Sequence, residues 1–553
     1  MKNTSDYIIV GGGTAGVVIA SRLKQYLPDL SIAILEAGPN AVDHALVNDV
    51  SDSLAWVRMI PEGLVVDYST SPQVHLDGRQ ILNLAGRMLS GSSGVNVGSW
   101  MRPSVSDCKL IAERAGHDRF LFENLLKYIK RLETHFDHAA DKDFHGFDGP
   151  IHTVGGRRYP LREILQESAE TLGHKYNPKA TQGDPTGLAD FVQCFKATST
   201  TTATRQHSAK VYDLSKVDVH CDSPVARVLL DETKRVVGVE LLSGEKVFAN
   251  KEVIMSCGTQ KTPQVLMLSG IGPSDELSQH GIPVIVNAPA VGQNLFDHTA
   301  FVQHFKLKDA GRGLASPFTG TMRPEYSQGV PVDFSLLASI PTSELLPQLA
   351  ADGFDSASHP LLRENRCHYM SIPMYFPLAA PPPLFPTISE DDTHIAFVSI
   401  HTLPLSRGVV SLKSADPQDN PNCNPRFFST ETDRFVMRHA VREGMRIAAV
   451  SPLAAEIEGE VSPVGFPTLT KDSADEEIDR RIRALTATIF HPMGTCALGT
   501  VLDGEFRVKG VEGLRVCDAS VFPEPVAMMP SCLIYALAEL CAETIAEISS
   551  QKP

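Results

Sequence analysis

Apolar positions near the start of the chain fall in short unbroken runs, whereas further on they alternate with polar ones or are interrupted by prolines. Tyr7-Ile8-Ile9-Val10 is an unbroken run and predicts a strand buried on both faces. It leads into Gly11-Gly12-Gly13-Thr14-Ala15-Gly16 and then into apolar Val17-Val18-Ile19-Ala20, so the order is strand, tight turn, helix. A second run, Ile32-Ala33-Ile34-Leu35, predicts another strand that ends on Glu36 and Ala37. Glycines in such a turn let the chain bend sharply, let backbone approach a pyrophosphate and let helix pack on sheet. The helix start adds unpaired N–H groups and the positive end of a dipole, which makes an anion site without a basic side chain. Gly11, Gly13, Thr14, Ala15 and Gly16 are therefore candidate phosphate contacts. Glu36, about 20 residues after the turn, is placed to accept from ribose hydroxyls. This much predicts a bound dinucleotide, with NAD and FAD equally open.

Residues 217–256 return to the same style, with Val217-Asp218-Val219-His220 and Glu252-Val253-Ile254-Met255 as strands and Val236 to Leu242 as a hairpin-like stretch between them. Residues 151–215 and 300–480 read differently. They carry strand-like runs, among them His394 to Ile400 and Gly408 to Leu412, separated by proline-rich loops, and these predict an antiparallel sheet. The expected organisation is a discontinuous nucleotide-binding domain over 1–150, 216–299 and 481–553, with a substrate-binding insert over 151–215 and 300–480. Within the insert, Pro373 to Pro386 is apolar yet too rich in proline for a central strand or helix interior. It reads as a loop packed on the insert sheet or on another subunit, or as a lid over an apolar substrate.

A chain of 553 residues exceeds what a single core usually serves, in keeping with two domains. Its formal net charge of −15, without a lysine/arginine run, argues against a nucleic-acid partner. There is no apolar stretch near the 18 residues or so of a membrane span, and a strand beginning by Tyr7 leaves no space for a secretory leader. The expectation is an intracellular, cytoplasmic protein with no membrane partner. Ten cysteines lie scattered without a C-x-x-C pair or zinc spacing, which predicts free thiols and no metal.

Two further blocks carry chemistry. Gly86-Arg87-Met88-Leu89-Ser90-Gly91-Ser92-Ser93-Gly94-Val95-Asn96 is a second loop of small residues, and Gly258 to Pro273 reads as a strand end, a helix opened by Thr262 and Pro263, and a glycine stop. With the first turn, they resemble the signature patterns of the glucose-methanol-choline (GMC) oxidoreductases, flavoenzymes that oxidise alcohols. The resemblance extends through Ser99-Trp100-Met101-Arg102-Pro103, Val291 to His298, Ser406-Arg407-Gly408, His491-Pro492-Met493-Gly494-Thr495-Cys496 and Val511 to Pro523. It implies an α/β fold: a Rossmann-type FAD-binding domain, of the kind shared with p-hydroxybenzoate hydroxylase, and an inserted substrate domain on an antiparallel sheet. It also implies FAD, with Glu36 and Ala37 at the adenosine ribose and Val225 pairing the adenine edge. Leu89, Gly91, Ser92, Asn96 and Val97 would lie along the diphosphate and isoalloxazine, Asp518 and Ala519 near the ribityl chain, and Met529 and Pro530 beside the flavin. Relatives that attach FAD covalently do so through a histidine where this chain has Val95, so dissociable FAD is expected.

By the same resemblance, His491 matches the histidine that takes the substrate's hydroxyl proton as hydride leaves for flavin N5. A neutral imidazole suits this task, and a positioned base contributes about 10²–10⁴-fold. The family's second catalytic position, usually His or Asn, falls on Met529, followed by Pro530. The polar partner is thus absent unless Ser531 or another loop supplies it. A thioether favours an aromatic or polyketide-like substrate over a sugar; the plainer reading is that Met529 fills core space. Two functions follow: oxidation of a small hydrophobic alcohol, plausibly in specialised metabolism, with O₂ or another electron acceptor, or a redox-neutral lyase, cyclase or dimerising reaction with FAD as scaffold, as in hydroxynitrile lyases of this fold. Oligomeric state is open.

Overall fold

A computed structural model describes residues 3–50, 55–317, 323–354, 358–378, 383–388 and 392–551. The apolar run at the N-terminus becomes the strand Thr4–Val10, which is buried from Tyr7 onward because parallel neighbours and helices cover it. Its sheet runs Asp218–His220, Ile32–Leu35, Thr4–Val10, Lys246–Met255, Val236–Leu241, Val225–Leu230, with Leu514–Val516 also paired to Lys246–Met255. Lys246–Met255 has two roles: residues 246–248 pair antiparallel with Val236–Leu241, while residues 248–255 pair parallel with Thr4–Val10 and residues 253–255 with Leu514–Val516. Thus the predicted hairpin-like stretch is the middle of a three-stranded meander, whose first strand, Val225–Leu230, the periodicity reading did not single out.

The helix Thr14–Tyr26 lies against the long C-terminal helix Ser531–Gln551, and apolar side chains from both join the core of this sheet. The predicted start of the helix after residue 258 is corrected. It runs from Gly258 to Leu268, with Pro263 inside it rather than opening it. Proline has no N–H for the Thr259 carbonyl, one turn back. Here that carbonyl accepts instead from the Thr495 hydroxyl at 2.6 Å, so the helix tolerates the proline.

The second seven-stranded sheet is antiparallel throughout: Ile457–Val461, Thr299–Leu307, His394–His401, Tyr369–Met374, Phe334–Ala338, Gly187–Asp190, with Ala487–Thr488 on the start of Thr299–Leu307. Gly408–Ser411 is a strand, as expected, but in a separate three-stranded sheet with Gln293–Leu295 and Asn422–Asn424. Of the proline-rich stretch, Pro373 and Met374 are not loop as expected but end the central strand Tyr369–Met374, and residues 379–382 lie outside the described residues. The flanking Tyr375, Phe376 and Phe385 are buried, Tyr375 donating its hydroxyl to Asp333 and Phe385 stacking edge-on against His304. All ten cysteines are free thiols, and no helix of the described residues is long and apolar enough to cross a membrane.

Candidate functional site

The first glycine turn is closed to side chains on one side and open on the other. Gly11 sits at φ +97°, and a Cβ there would lie 2.4 Å from the Ser256 carbonyl oxygen; one on Gly16 would lie 2.0 Å from the Gly11 oxygen. At Gly13 the nearest atom to a Cβ is 3.8 Å away, and it belongs to Gly91 of the second loop. The two glycine-rich loops therefore meet backbone to backbone, joined by a 2.7 Å bond from Ser90 N–H to the Gly12 carbonyl. The helix beginning at Thr14 and Ala15 has neither a side-chain cap nor an acidic residue in its first turn, so its N–H groups remain suited to an anion.

Glu36 ends the second strand as expected. Its carboxylate is buried and accepts from Gly12 N–H and Gly38 N–H, each at 2.8 Å, and burial pushes its pKa up to about 7 against those hydrogen bonds. The Ala37 carbonyl accepts from Arg87, and Leu89 packs within 2.8 Å of where a Gly12 Cβ would stand. Val225 opens its strand two residues beyond Ser223, whose N–H holds the Glu36 carbonyl at 2.8 Å. Asp518 caps two helical starts at once: it accepts from Gly258 N–H (2.9 Å), the Thr262 hydroxyl (2.6 Å) and Ser520 N–H (2.7 Å). The Ala519 carbonyl accepts from Gly494 N–H. Ser92 accepts from Gly86 N–H, and Asn96 from Gly98 N–H and Arg205; Val97 is 44 % exposed. A backbone cradle that Cβ atoms would fill, with a buried carboxylate at the neighbouring strand end, fits FAD.

His491 lies at the other end of the site. Its backbone N–H donates to Asp297 at 2.9 Å, and its Nδ1 stands 3.1 Å from Nδ1 of His298, the rings nearly perpendicular. Asp297 also accepts from the Thr488 hydroxyl (2.6 Å) and the Asn83 amide (3.1 Å), and burial raises its pKa to about 7. Thr488 in turn accepts from Phe490 N–H, holding Phe490 at φ +64°, a left-handed conformation unusual for a bulky residue. Burial lowers the pKa of His491 to about 3 and, with the neighbouring His491 and His401, takes His298 well below the ordinary range. Both rings are thus neutral at physiological pH, and a short N–N contact between neutral rings needs one to donate and the other to accept. Phe490 reaches Trp56, ring centroids 5.8 Å apart, and Trp56 packs in the same cluster as Val95 of the second loop.

Met529 is buried and Pro530 opens the C-terminal helix, its carbonyl accepting from Ile534 N–H. Met529 joins an apolar cluster with one face of the antiparallel sheet, including Ala300, Val398, Ile400 and Met370, and with Met101 and Met374 packed against it. The loop before it is fixed by Asp107, which accepts from Ala527 N–H at 3.0 Å and pairs with buried Arg366 at 2.7 Å. The polar side chain that the structure places on the His491 ring is His298. Its role escaped the sequence reading although it stood in a quoted motif; its signal was the Asp-His pair at 297–298. Asn83, Asp107 and Arg366 gave no signal, being single residues in unremarkable surroundings.

A dinucleotide cradle together with a neutral histidine pair suits an enzyme that binds a dinucleotide cofactor and moves a proton beside it. Residues 5–300 match the N-terminal family model of the GMC oxidoreductases, and residues 404–538 match the C-terminal one. The chain is 36 % identical over 546 residues to the GMC-type oxidoreductase acuG of Aspergillus aculeatus, covering 99 % of each chain. It is 30 % identical over 560 residues to choline oxidase of Arthrobacter globiformis, covering 98 % of this chain and 94 % of that one. Among solved structures, a variant of formate oxidase of Aspergillus oryzae superposes with a TM-score of 0.85 at 26 % identity, covering 99 % of each chain. A fungal aryl-alcohol oxidase shares the fold at 22 % identity and a TM-score of 0.81. This chain belongs to the GMC oxidoreductases, an FAD-dependent family whose members oxidise CH–OH groups.

Proposed function

We propose that the enzyme oxidises a hydrophobic alcohol, aromatic or polyketide-like, with His491 as the base, in specialised metabolism. The observation that carries this reading is the way His491 is held. Asp297 and His298 occupy its backbone N–H and its Nδ1, while its Nε2 makes no hydrogen bond among the described residues. With the hydrogen on Nδ1 and donated to His298, Nε2 is left bare to take the substrate's hydroxyl proton, and His298 steadies the imidazolium that results. FAD, when bound, supplies the hydride acceptor. The cradle residues from Gly11 to Gly16, with Glu36, Ala37, Leu89, Gly91, Ser92, Asn96, Val97, Val225, Asp518 and Ala519, would hold it. Val95 offers no side chain for a covalent link, which supports dissociable FAD. The substrate would lie between His491 and the apolar wall that includes Met529, in the insert of residues 151–215 and 300–480. The chemistry FAD would supply calls for O₂ or another electron acceptor.

Met529 favours a second reading, a redox-neutral reaction with FAD as scaffold, because its thioether brings no hydrogen-bond donor to a developing alkoxide. Anaerobic mixing of the holoenzyme with benzylic and naphthylic alcohols separates the two. Bleaching of the flavin absorbance by one of them is the expected result; turnover with the flavin still oxidised would establish the second reading. Release of the flavin into the supernatant on acid precipitation tests the non-covalent attachment.

A further inference from the structure

The second glycine-rich loop contains a residue that its own backbone disfavours. Ser90 sits at φ +99°, a left-handed conformation natural to glycine and unfavourable for serine. It is wholly buried, between Leu89 and the positive-φ Gly91 that touches Gly13 of the first turn. Its side chain has two partners. The hydroxyl oxygen accepts from Ala209 N–H at 3.0 Å and stands 2.7 Å from Nδ1 of His207, which is also wholly buried. A buried hydroxyl hydrogen needs an acceptor, and Nδ1 of His207 is the one within reach. His207 therefore carries its hydrogen on Nε2 and remains neutral; burial, with Arg205 and Lys210 nearby, pushes its pKa down to about 4. A parallel stitch runs beside this one: Ser93 donates to the Ser90 carbonyl at 2.7 Å and accepts from Ser208 N–H at 3.2 Å.

Capping Ala209 needs only an oxygen near its N–H, and it accounts for neither the histidine nor the unfavourable backbone. What the pair adds is a tie between the loop over the fingerprint turn and the segment 207–209, more than a hundred residues away in sequence. Loop ordering is a cost that ligand binding otherwise bears, and fixing the loop beforehand removes that cost. We propose that Ser90 and His207 form a latch that holds the second glycine-rich loop in its cofactor-ready shape and so sets how firmly this chain retains FAD. Both are positioning residues. Their effect reaches the cofactor through the backbone of Gly91 and its neighbours.

The test is titration of the deflavinated full-length protein with FAD, read by the loss of free-FAD fluorescence, together with the melting temperature of the apoprotein. Ser90→Gly separates the latch from a general structural role, because glycine relieves the backbone while removing the hydroxyl. The expected result is an apoprotein melting temperature within about 2 °C of the parent or above it, and an FAD dissociation constant raised about tenfold or more. His207→Leu, which keeps bulk but no acceptor, weakens FAD to a similar degree. His207→Asn, whose Oδ1 stands in for Nδ1, stays within about threefold of the parent. A Ser90→Gly dissociation constant within about twofold of the parent overturns the latch. So does a loss of affinity accompanied by a fall of more than about 5 °C in the Ser90→Gly apoprotein, which would mark a fold defect. Were His207→Leu to yield no folded protein, Ser90→Gly alone decides.

Discussion

The cofactor end and the chemistry end of this site are made of different material. At the cofactor end the working surface is backbone: Gly11, Gly16 and Gly91 stand where a Cβ would meet main-chain atoms at 2.0–2.8 Å. At the chemistry end it is side chains drawn from distant parts of the chain, with Asn83, Asp297, His298, Thr488 and His491 in one hydrogen-bonded group and Met529 on the apolar side. A surface made of backbone admits almost no substitution, because any side chain fills it. A surface made of side chains admits exchange at one position while the others hold their places, and the proposed function takes Met529 as such an exchange. On that proposal, the contrast lets a chain keep its FAD cradle while the apolar wall beside His491 changes.

Substitutions at the two ends test the contrast directly. The largest effect is expected at His491→Ala, where the anaerobic rate of flavin reduction by the enzyme's alcohol substrate should fall about 10²–10⁴-fold. A rate within about threefold of the parent would remove His491 from the chemistry. Gly16→Ala comes next. A Cβ 2.0 Å from the Gly11 oxygen forces the turn apart and should cost about 3 kcal/mol of stability in urea unfolding, together with FAD binding. If FAD binding survived unchanged, the backbone account of that end would fall. Met529→Asn should be milder, shifting preference from aryl alcohols toward small polar ones by about tenfold in flavin reduction, at about 1–3 kcal/mol of stability for a buried amide. An unchanged preference would make Met529 mere filling.

The smallest effect concerns pH. His491 has a pKa of about 3, below the ordinary histidine value of about 6.5, because burial disfavours the charged ring. The neutral, base-competent form therefore persists as acid is added. Flavin reduction should stay level from pH 8 down to about pH 5, without a limb near 6.5. The linked stability has the same sign: the unfolded chain binds the proton first, so the contribution of His491 is full above about 6.5 and is lost as pH falls toward 3. Asp297 pulls the other way. With its pKa raised to about 7, it adds stability below the ordinary aspartate range that is lost as pH rises through 7. An acid limb near 6.5 in the reduction rate that persisted in Asp297→Asn would show the His491 ring to be as well solvated as free imidazole.

The same difference decides what could be read from the sequence. Glycine is needed at few backbone positions, and an unbroken apolar run before it and an acid after the next strand give it context; the cofactor end was legible from Tyr7 to Glu36 for that reason. The antiparallel insert was legible as a class from its alternating and proline-broken runs, but the placing of Gly408–Ser411 was not, since register between strands leaves no mark in either one. Pro263 misled because proline usually opens a helix, and the hydroxyl that frees it from that role belongs to Thr495, more than two hundred residues away. His491 can be proposed from its motif alone. Its partnership with His298 is a meeting of residues 193 positions apart, invisible without the fold.

The buried pair of Asp107 and Arg366 ties the N-terminal part of the chain to the insert and holds Ala527 in front of Met529. For protein engineering this sets a rule about chimeras. Exchanging the insert for a relative's, to change the range of alcohols, would strand Asp107 as a lone buried charge wherever the donor lacks a basic residue at position 366. Breaking such a pair costs about 3–5 kcal/mol, whereas replacing both members with apolar residues of like volume can be neutral. A graft should therefore carry both residues or neither.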